Sequence, residues 1–328
     1  MRSFTHVTAG SLAEACALLS EAGGKGRANA GGTDLLGVLK DGIHAQGPEL
    51  IVDLKAVSGL AEVSREGDEV RIGALATLAS LDRSTLLRET LPLLVQAAHA
   101  VGTPQVRTMG TVGGNLCQEV RCWYYRYPRH VGGPVGCLRK GDGPCLAVKG
   151  DNRYHGVFGG RGCFAVCPSD LAVALTALGA VVDIAGPDGS RREVAVEDLY
   201  EPTTLTLAPG ELLAEVRVPV PARPTRQTFL KFTVREPVDF AVVSVAASLD
   251  RDGPGCRDAR IVLGGVSPRP HRALQAEEVL RGGDVDDQTA ARAGEAAVAG
   301  AKPMRHNAYK IGIARTLVER AVRACLDA

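Results

Sequence analysis

Apolar positions along this chain switch between two periods, and the switches mark out its first elements. Leu12, Ala15, Cys16 and Leu19 recur at helical spacing behind Ser11 and Glu14, the S-x-x-E arrangement that caps a helix start. A helix is therefore predicted through about Glu21, stopped by Gly23 and Gly24. A short strand over residues 27–30 runs into the turn Gly31-Gly32. Thr33 and Asp34 then open a second helix over LLGVLKDG, and another strand covers residues 50–54. Residues 59–79 alternate like strands, and a helical stretch near residues 90–101 ends at Gly102. Further on, Pro168-Ser169-Asp170 cap a strong helix, LAVALTALGA, which feeds the strand VVDIAG, with Asp170 itself a possible N-cap. The proline-rich VPVPARPTR, residues 218–226, reads as a joint between domains. Strands near residues 229–234, 242–249 and 260–266 follow it, and helices over residues 276–281 and 310–325 complete an α+β third unit.

One stretch has no period at all. Residues 128–162 hold ten glycines and three prolines, and an unpatterned run of that length is uncommon inside a compact domain unless it is functional or disordered. Its setting argues against disorder: seven of the 13 aromatics (Trp123, Tyr124, Tyr125, Tyr127, Tyr154, Phe158 and Phe164) lie in or beside it. Six of the nine cysteines also fall here, namely Cys117, Cys122, Cys137, Cys145, Cys163 and Cys167, while Cys16, Cys256 and Cys325 stand alone. A loop held together from within is the better reading.

Composition adds limits. The chain has 328 residues, 45% of them hydrophobic, which is enough for two or three subdomains. Lys and Arg total 38 against 37 Asp and Glu, a net charge of +1, so there is no electrostatic footprint for nucleic acid. The N-terminus lacks the apolar run of a signal peptide, and nowhere do roughly 18 apolar residues follow one another, so a cytoplasmic protein without a membrane span is expected. In a reducing compartment, clustered cysteines point to metal or redox chemistry rather than disulfides.

Two glycine-rich segments supply the binding chemistry. The first is Asn29-Ala30-Gly31-Gly32-Thr33-Asp34-Leu35-Leu36, where absent Cβ atoms let backbone N–H groups approach a pyrophosphate ahead of a helix start. The second is Arg107-Thr108-Met109-Gly110-Thr111-Val112-Gly113-Gly114-Asn115-Leu116, again small residues with backbone donors and an amide. Neither is the G-x-G-x-x-G of a dinucleotide fold, and no acidic residue follows at the expected distance.

Taken in order with Pro168-Ser169-Asp170-Leu171-Ala172, Lys231-Phe232, Asp239-Phe240-Ala241-Val242, Gly264-Gly265-Val266 and the closing Tyr309-Lys310 helix, these segments resemble the FAD-binding medium subunit of the xanthine dehydrogenase family of molybdenum hydroxylases. The resemblance covers essentially the whole chain. It implies a two-subdomain α/β FAD-binding domain of the PCMH-like type over residues 1–222 (subdomains about 1–56 and 57–222), then a smaller α+β domain over residues 223–328. It further implies FAD with its pyrophosphate on residues 29–36, and Val101, Gly110, Thr111, Gly113, Gly114, Asn115 and Gln118 against the flavin or its ribose and diphosphate. Asp170 and Lys231 would lie near the nucleotide. No residue is implied in substrate chemistry.

Within that family the segment of about residues 120–165 is long, and it is similar to the insertion of the 4-hydroxybenzoyl-CoA reductase type, whose flavin subunit carries a 4Fe–4S cluster. The resemblance carries the ligands over to Cys122, Cys137, Cys145 and Cys163, with Cys117 and Cys167 as possible replacements for one of them. Four thiolates suit an iron–sulfur cubane, and a Gly/Pro loop can gather distant ligands. Zinc held by four cysteines stays open as an alternative, although close C-x-x-C pairs are absent, as does a set of buried free thiols. The implied role is an electron relay working with a small 2Fe–2S subunit and a large molybdopterin subunit, as a dimer of heterotrimers. A ferredoxin-like protein or NAD would be the outer electron partner. The rivals are a free-standing flavin dehydrogenase and a flavin subunit whose cysteine loop is a zinc-held docking element.

Overall fold

Parallel pairing opens the chain. In the computed structural model, which describes residues 1–159, 162–236 and 238–327, the first unit is β1 (Thr5–Thr8), α1 (Leu12–Glu21), β2 (Gly26–Asn29), α2 (Leu35–Asp41) and β3 (Leu50–Asp53). Its three strands lie parallel in the order β1-β3-β2, which puts Ile51 and Val52 of the central strand in the interior. Ser11 caps α1 by accepting from the Glu14 N–H, and Glu14 reaches back to the Gly10 N–H, so the helix starts where the motif predicts.

The second unit adds β4 (Val63–Glu66), β5 (Glu69–Gly73), the short helices α3 (Leu78–Arg83), α4 (Thr85–Thr90), α5 (Pro92–His99), α6 (Pro104–Met109) and α7 (Val112–Cys117), then α8 (Asp170–Ala177), β6 (Val181–Ala185), β7 (Arg191–Ala195) and β8 (Leu212–Pro219). Its strands pair antiparallel in the order β4-β5-β8-β6-β7. The third unit has β9 (Thr225–Phe232), β10 (Val243–Asp252), β11 (Gly255–Gly264) and β12 (His271–Arg272), an antiparallel sheet ordered β12-β11-β10-β9. It ends in α9 (Leu274–Leu280), α10 (Asp287–Val298) and α11 (Tyr309–Asp327).

α8 joins the second and third units. Every one of its residues is buried, as expected of a helix that is apolar all round and walled on every side. Leu171 and Leu175 share one continuous core with the α5 side chains and with Phe229, Ala246 and Val262 of the third sheet. Its N-cap is Ser169, which accepts from the Ala172 N–H; this corrects the placing of the cap at Asp170, which is the first helical residue instead. The Asp170 carboxylate pairs with Lys231 on β9 at 2.8 Å, both side chains almost fully buried, and locks the helix start to the third sheet.

A second core lies between that sheet and helices α9 to α11, and it takes in Val157 and Phe158 from the glycine-rich stretch. That stretch carries no strand or long helix among its described residues; Gly160 and Arg161, inside the predicted insertion, lie outside them. Among the described residues no helix is long and apolar enough to cross a membrane.

Candidate functional site

The two glycine segments, far apart in sequence, touch. A Cβ at Gly31 would overlap the Met109 carbonyl oxygen, so only glycine lets the first segment lie on the second. Gly32 adopts φ 72°, the left-handed turn that swings the chain into α2. Above the contact opens a cleft of about 920 Å³, lined by Ala30, Gly31, Gly32, Thr33, Asp34 and Leu35, then Thr111, Gly113, Gly114 and Gln118.

The two segments offer different things to a ligand. In the first, the six consecutive backbone N–H groups of residues 30–35 have no protein acceptor among the described residues, a ready cradle for anionic oxygens. In the second, the sequence reading expects free backbone donors, and the structure corrects this. The segment is helical from Val112, and its first N–H groups are already used: Val112 donates to the Ala76 carbonyl, Gly113 to Ala74, and Gly114 to the Thr111 hydroxyl. What this segment provides is close approach. A Cβ on Gly113 would sit 3.0 Å from that of Ala74.

Several predicted residues stand behind the cleft rather than on it. Asn29, Leu36, Val101, Gly110, Asn115, Asp170 and Lys231 are not on its lining. Asn115 is buried and accepts from the Ser169 hydroxyl at 2.6 Å, tying α7 to α8. Val101 packs on the central core and its carbonyl accepts from Arg107. Asn29 donates weakly to Asp53, leaving its Oδ1 without a partner among the described residues. Asp34 does line the cleft, yet its carboxylate is committed: it pairs with Arg121 at 2.9 Å and Arg126 at 2.7 Å and accepts from the Glu119 N–H. It ties the first glycine segment to the start of the cysteine-rich stretch. Burial pulls the Arg121 guanidinium down to about 10, and its plane lies 4.2 Å from the centre of the Phe240 ring.

Other cleft residues had no signal in the sequence. Leu54, Leu75, Leu205 and Leu207 give it an apolar floor, and Arg2 and Lys40 face it with no hydrogen-bond partner among the described side chains. Tyr200 donates to the Leu116 carbonyl at 2.9 Å. His44 contacts Glu119 at 2.8 Å; burial alone would raise the Glu119 carboxyl, but the hydrogen bond and charge of His44 hold it below the usual range. Cys117 also lies on the wall, its thiol pushed up to about 12 by burial and therefore protonated.

Beside the cleft, Cys122, Cys137, Cys145 and Cys163 line a second, small void together with Tyr124, Tyr125 and Ala147. Three of them open a tight turn: the carbonyls of Cys122, Cys137 and Cys145 accept from Arg126, Lys140 and Val148. Short 3₁₀ turns follow Cys137 and Cys145 directly. The loop is cross-braced by Trp123 and Tyr124, both donating to the Asp151 carbonyl, and by Lys140 donating to Ile43 and Val135 carbonyls. Burial pushes the Cys122 thiol up to about 11, against the pull of the Tyr125 and Tyr124 N–H groups, and also raises that of Cys163. Among the described residues no three His, Cys, Asp or Glu side chains converge tightly enough to hold one metal ion, so the four thiols surround a space without closing on a point. Cys167 and Cys117 are not on this void. Tyr125 and Arg139 line both spaces and form the partition between them.

Residues 2–221 match the family model described as the FAD binding domain in molybdopterin dehydrogenase, and residues 228–325 match that of the CO dehydrogenase flavoprotein C-terminal domain. The chain is 33% identical over 323 residues to the aldehyde oxidoreductase FAD-binding subunit PaoB of Escherichia coli K12, covering 96% of each chain. It is 31% identical over 327 residues to the carbon monoxide dehydrogenase medium chain of Afipia carboxidovorans, covering 98% of this chain and 96% of that one. Among solved structures, the carbon monoxide dehydrogenase from Hydrogenophaga pseudoflava that lacks the Mo-pyranopterin moiety superposes with a TM-score of 0.79 at 26% identity, over 99% of this chain and 98% of that one.

Proposed function

Since the chain belongs to the family of FAD-binding subunits of multi-subunit molybdenum hydroxylases, we propose that it is an electron relay, holding FAD in the glycine cleft and a 4Fe–4S cluster in the cysteine void. The observation that carries the reading is the shared wall: the cleft and the void are separated by Tyr125 and Arg139.

The residues present fit both groups. The unpartnered N–H groups of residues 30–35 match a diphosphate, with Arg2 and Lys40 adding positive charge, and the leucine floor suits a flat apolar ring. Thr111, Gly113, Gly114 and Gln118 would bound the flavin side, with Val101, Gly110, Asn115, Asp170 and Lys231 off the lining behind it and Asn29 and Leu36 packed on Gly32 in the first segment. Bound FAD supplies exchange of electrons in pairs or singly, which allows a two-electron partner to be matched to one-electron iron–sulfur centres.

At the void, a single tetrahedral ion with metal–sulfur bonds of about 2.3 Å needs its four sulfurs within about 4 Å of one another. A cubane has its ligands on separate corners and needs a wider ring of thiols. Four cysteines around a common space, Cys137 and Cys163 buried and Cys122 and Cys145 half-buried, favour the second. Burial raises the thiol pKa values of Cys122 and Cys163, so at these two positions ligation and deprotonation occur together. Ala147 and the tyrosines keep water away from that centre.

On this reading residues 1–222 form the flavin-binding part and residues 223–328 its C-terminal partner. The relatives are FAD-binding or medium subunits, so the partners of this chain are a 2Fe–2S subunit and a molybdopterin subunit, with a ferredoxin-like protein or NAD as the outer electron carrier. Cys145→Ser tests the relay in the co-expressed complex. The variant is expected to keep FAD, its partner subunits and their 2Fe–2S EPR signals but to lose the 4Fe–4S signal and at least about tenfold of the rate of electron exchange with a one-electron protein carrier. Unchanged exchange by a variant that lacks the 4Fe–4S signal would remove the cluster from the route.

A further inference from the structure

Nε2 of His155 lies 3.2 Å from the Cys122 sulfur. His155 is only 2% exposed and is placed by backbone and packing rather than by its own polar groups. Its N–H donates to the Asn152 carbonyl, while Asn307 donates to the His155 and Gly156 carbonyls from the start of the last helix. Lys310 on that helix is fully buried and donates to the carbonyls of Tyr154 and Gly265, with no carboxylate partner among the described residues. The ring itself is packed against Trp123 and Tyr124.

The protonation of the imidazole follows from its surroundings. Nδ1 has no partner among the described residues, so a proton there would be a buried donor with nothing to accept it. Orphaned donors are rarer than under-used acceptors. The proton therefore belongs on Nε2, aimed at sulfur. A ligating cysteine is a thiolate with no hydrogen of its own, which makes it the acceptor.

We propose that His155 donates a hydrogen bond from Nε2 to the Cys122 thiolate and thereby sets the reduction potential of the centre held by the four cysteines. This rests on the cluster assignment above. Reduction adds negative charge that is shared by the ligating sulfurs, and a donor to sulfur stabilises the reduced form more than the oxidised one. His155 acts through Cys122, as a positioning residue. Because its carbonyl is gripped from the last helix, the potential is tied to the docking of the C-terminal unit on the loop.

Redox titration followed by EPR on the anaerobically purified complex separates this from a packing role. Iron and sulfide are counted first, on the unaltered complex; absence of about four irons beyond those of the 2Fe–2S subunit removes the cluster assignment and this inference with it. With those four present, His155→Phe keeps the bulk but not the donor, while His155→Gln places an amide N–H near the position of Nε2. The Phe variant is expected to titrate at a lower midpoint potential, or to shed iron, with the Gln variant close to the unaltered protein. Equal midpoints in all three proteins, or the same loss of iron in both variants, would overturn the role of His155 and leave the cluster assignment standing.

Discussion

A single methyl group at position 31 is enough to part the two glycine segments. The Met109 carbonyl occupies the place that a Cβ would take, so Gly31→Ala must push one backbone off the other. Overpacking of this kind costs about 1–3 kcal/mol, and the displaced cradle is the one that offers six unpartnered N–H groups among the described residues. The dissociation constant for FAD, from flavin fluorescence titration, is expected to rise at least about tenfold relative to the unaltered protein, the equivalent of about 1.4 kcal/mol; an unchanged constant would separate this contact from FAD binding. Local sequence singled out this segment by its glycine pair before a helix start, a turn common enough to be only moderately specific for a ligand. It could not say which residues face the ligand. Asp34 sits in the middle of the motif yet spends its charge on Arg121 and Arg126, and Lys231 and Asp170 spend theirs on each other. Conversely, His44, Tyr200 and the leucines at 205 and 207 reach the cleft only through tertiary folding, with no pattern in their own neighbourhoods.

Elements with bulky periodic residues were legible, and those built from small residues were not. α1, α8 and α11 show their apolar faces in the sequence, whereas α10 buries Ala290, Ala293, Gly294 and Ala297, a stripe too small to register as periodic. The second glycine segment reads as a turn because glycine disfavours helix by about 1 kcal/mol per residue. It is nevertheless helical: the Thr111 cap and the carbonyls of Ala74 and Ala76 hold it there. β8 opens with three buried residues in a row, has an irregular register against β6 and runs into the proline-rich joint, which hid it.

The edge strand β12 carries a consequence for pH. His271 on that strand stacks on Phe158 of the cysteine-rich stretch with ring centres 3.8 Å apart, and burial together with Arg269 takes its imidazole from 6.5 down to about 4. Between those values the unfolded chain binds a proton that the folded chain refuses. The stability contributed is whole above pH 6.5 and is lost as pH falls toward 4. From pH 7 to pH 5 the loss is about 2 kcal/mol for this residue. His155, also depressed to about 4, adds to the same limb. His271→Phe preserves the stack, so urea unfolding should show about half the acid-side loss of the unaltered chain; an identical loss in both proteins would mean that His271 titrates normally.

At the scale of the whole molecule, the chain is three sheets, the second and third joined by the buried α8, with a loop inserted between α7 and α8 that brings its own four thiols. The insertion is braced against both ends of the molecule: Asp34 holds its entry to the first unit, and Asn307 and Lys310 hold its exit to the last helix. Sequence composition flagged the loop as functional from its aromatics and cysteines, and the resemblance implied Cys122, Cys137, Cys145 and Cys163 as its ligands. The partition shared with the cleft was invisible until Tyr125 and Arg139 were placed in space. On the proposed reading, FAD and a 4Fe–4S cluster would be neighbours in one chain. Iron, acid-labile sulfide, zinc and FAD per chain, measured on anaerobically purified protein, test this most directly. The expected result is one FAD with about four irons and about four sulfides. One FAD with no iron, and zinc in its place, would contradict it and reduce the loop to a structural element on an otherwise ordinary flavin subunit.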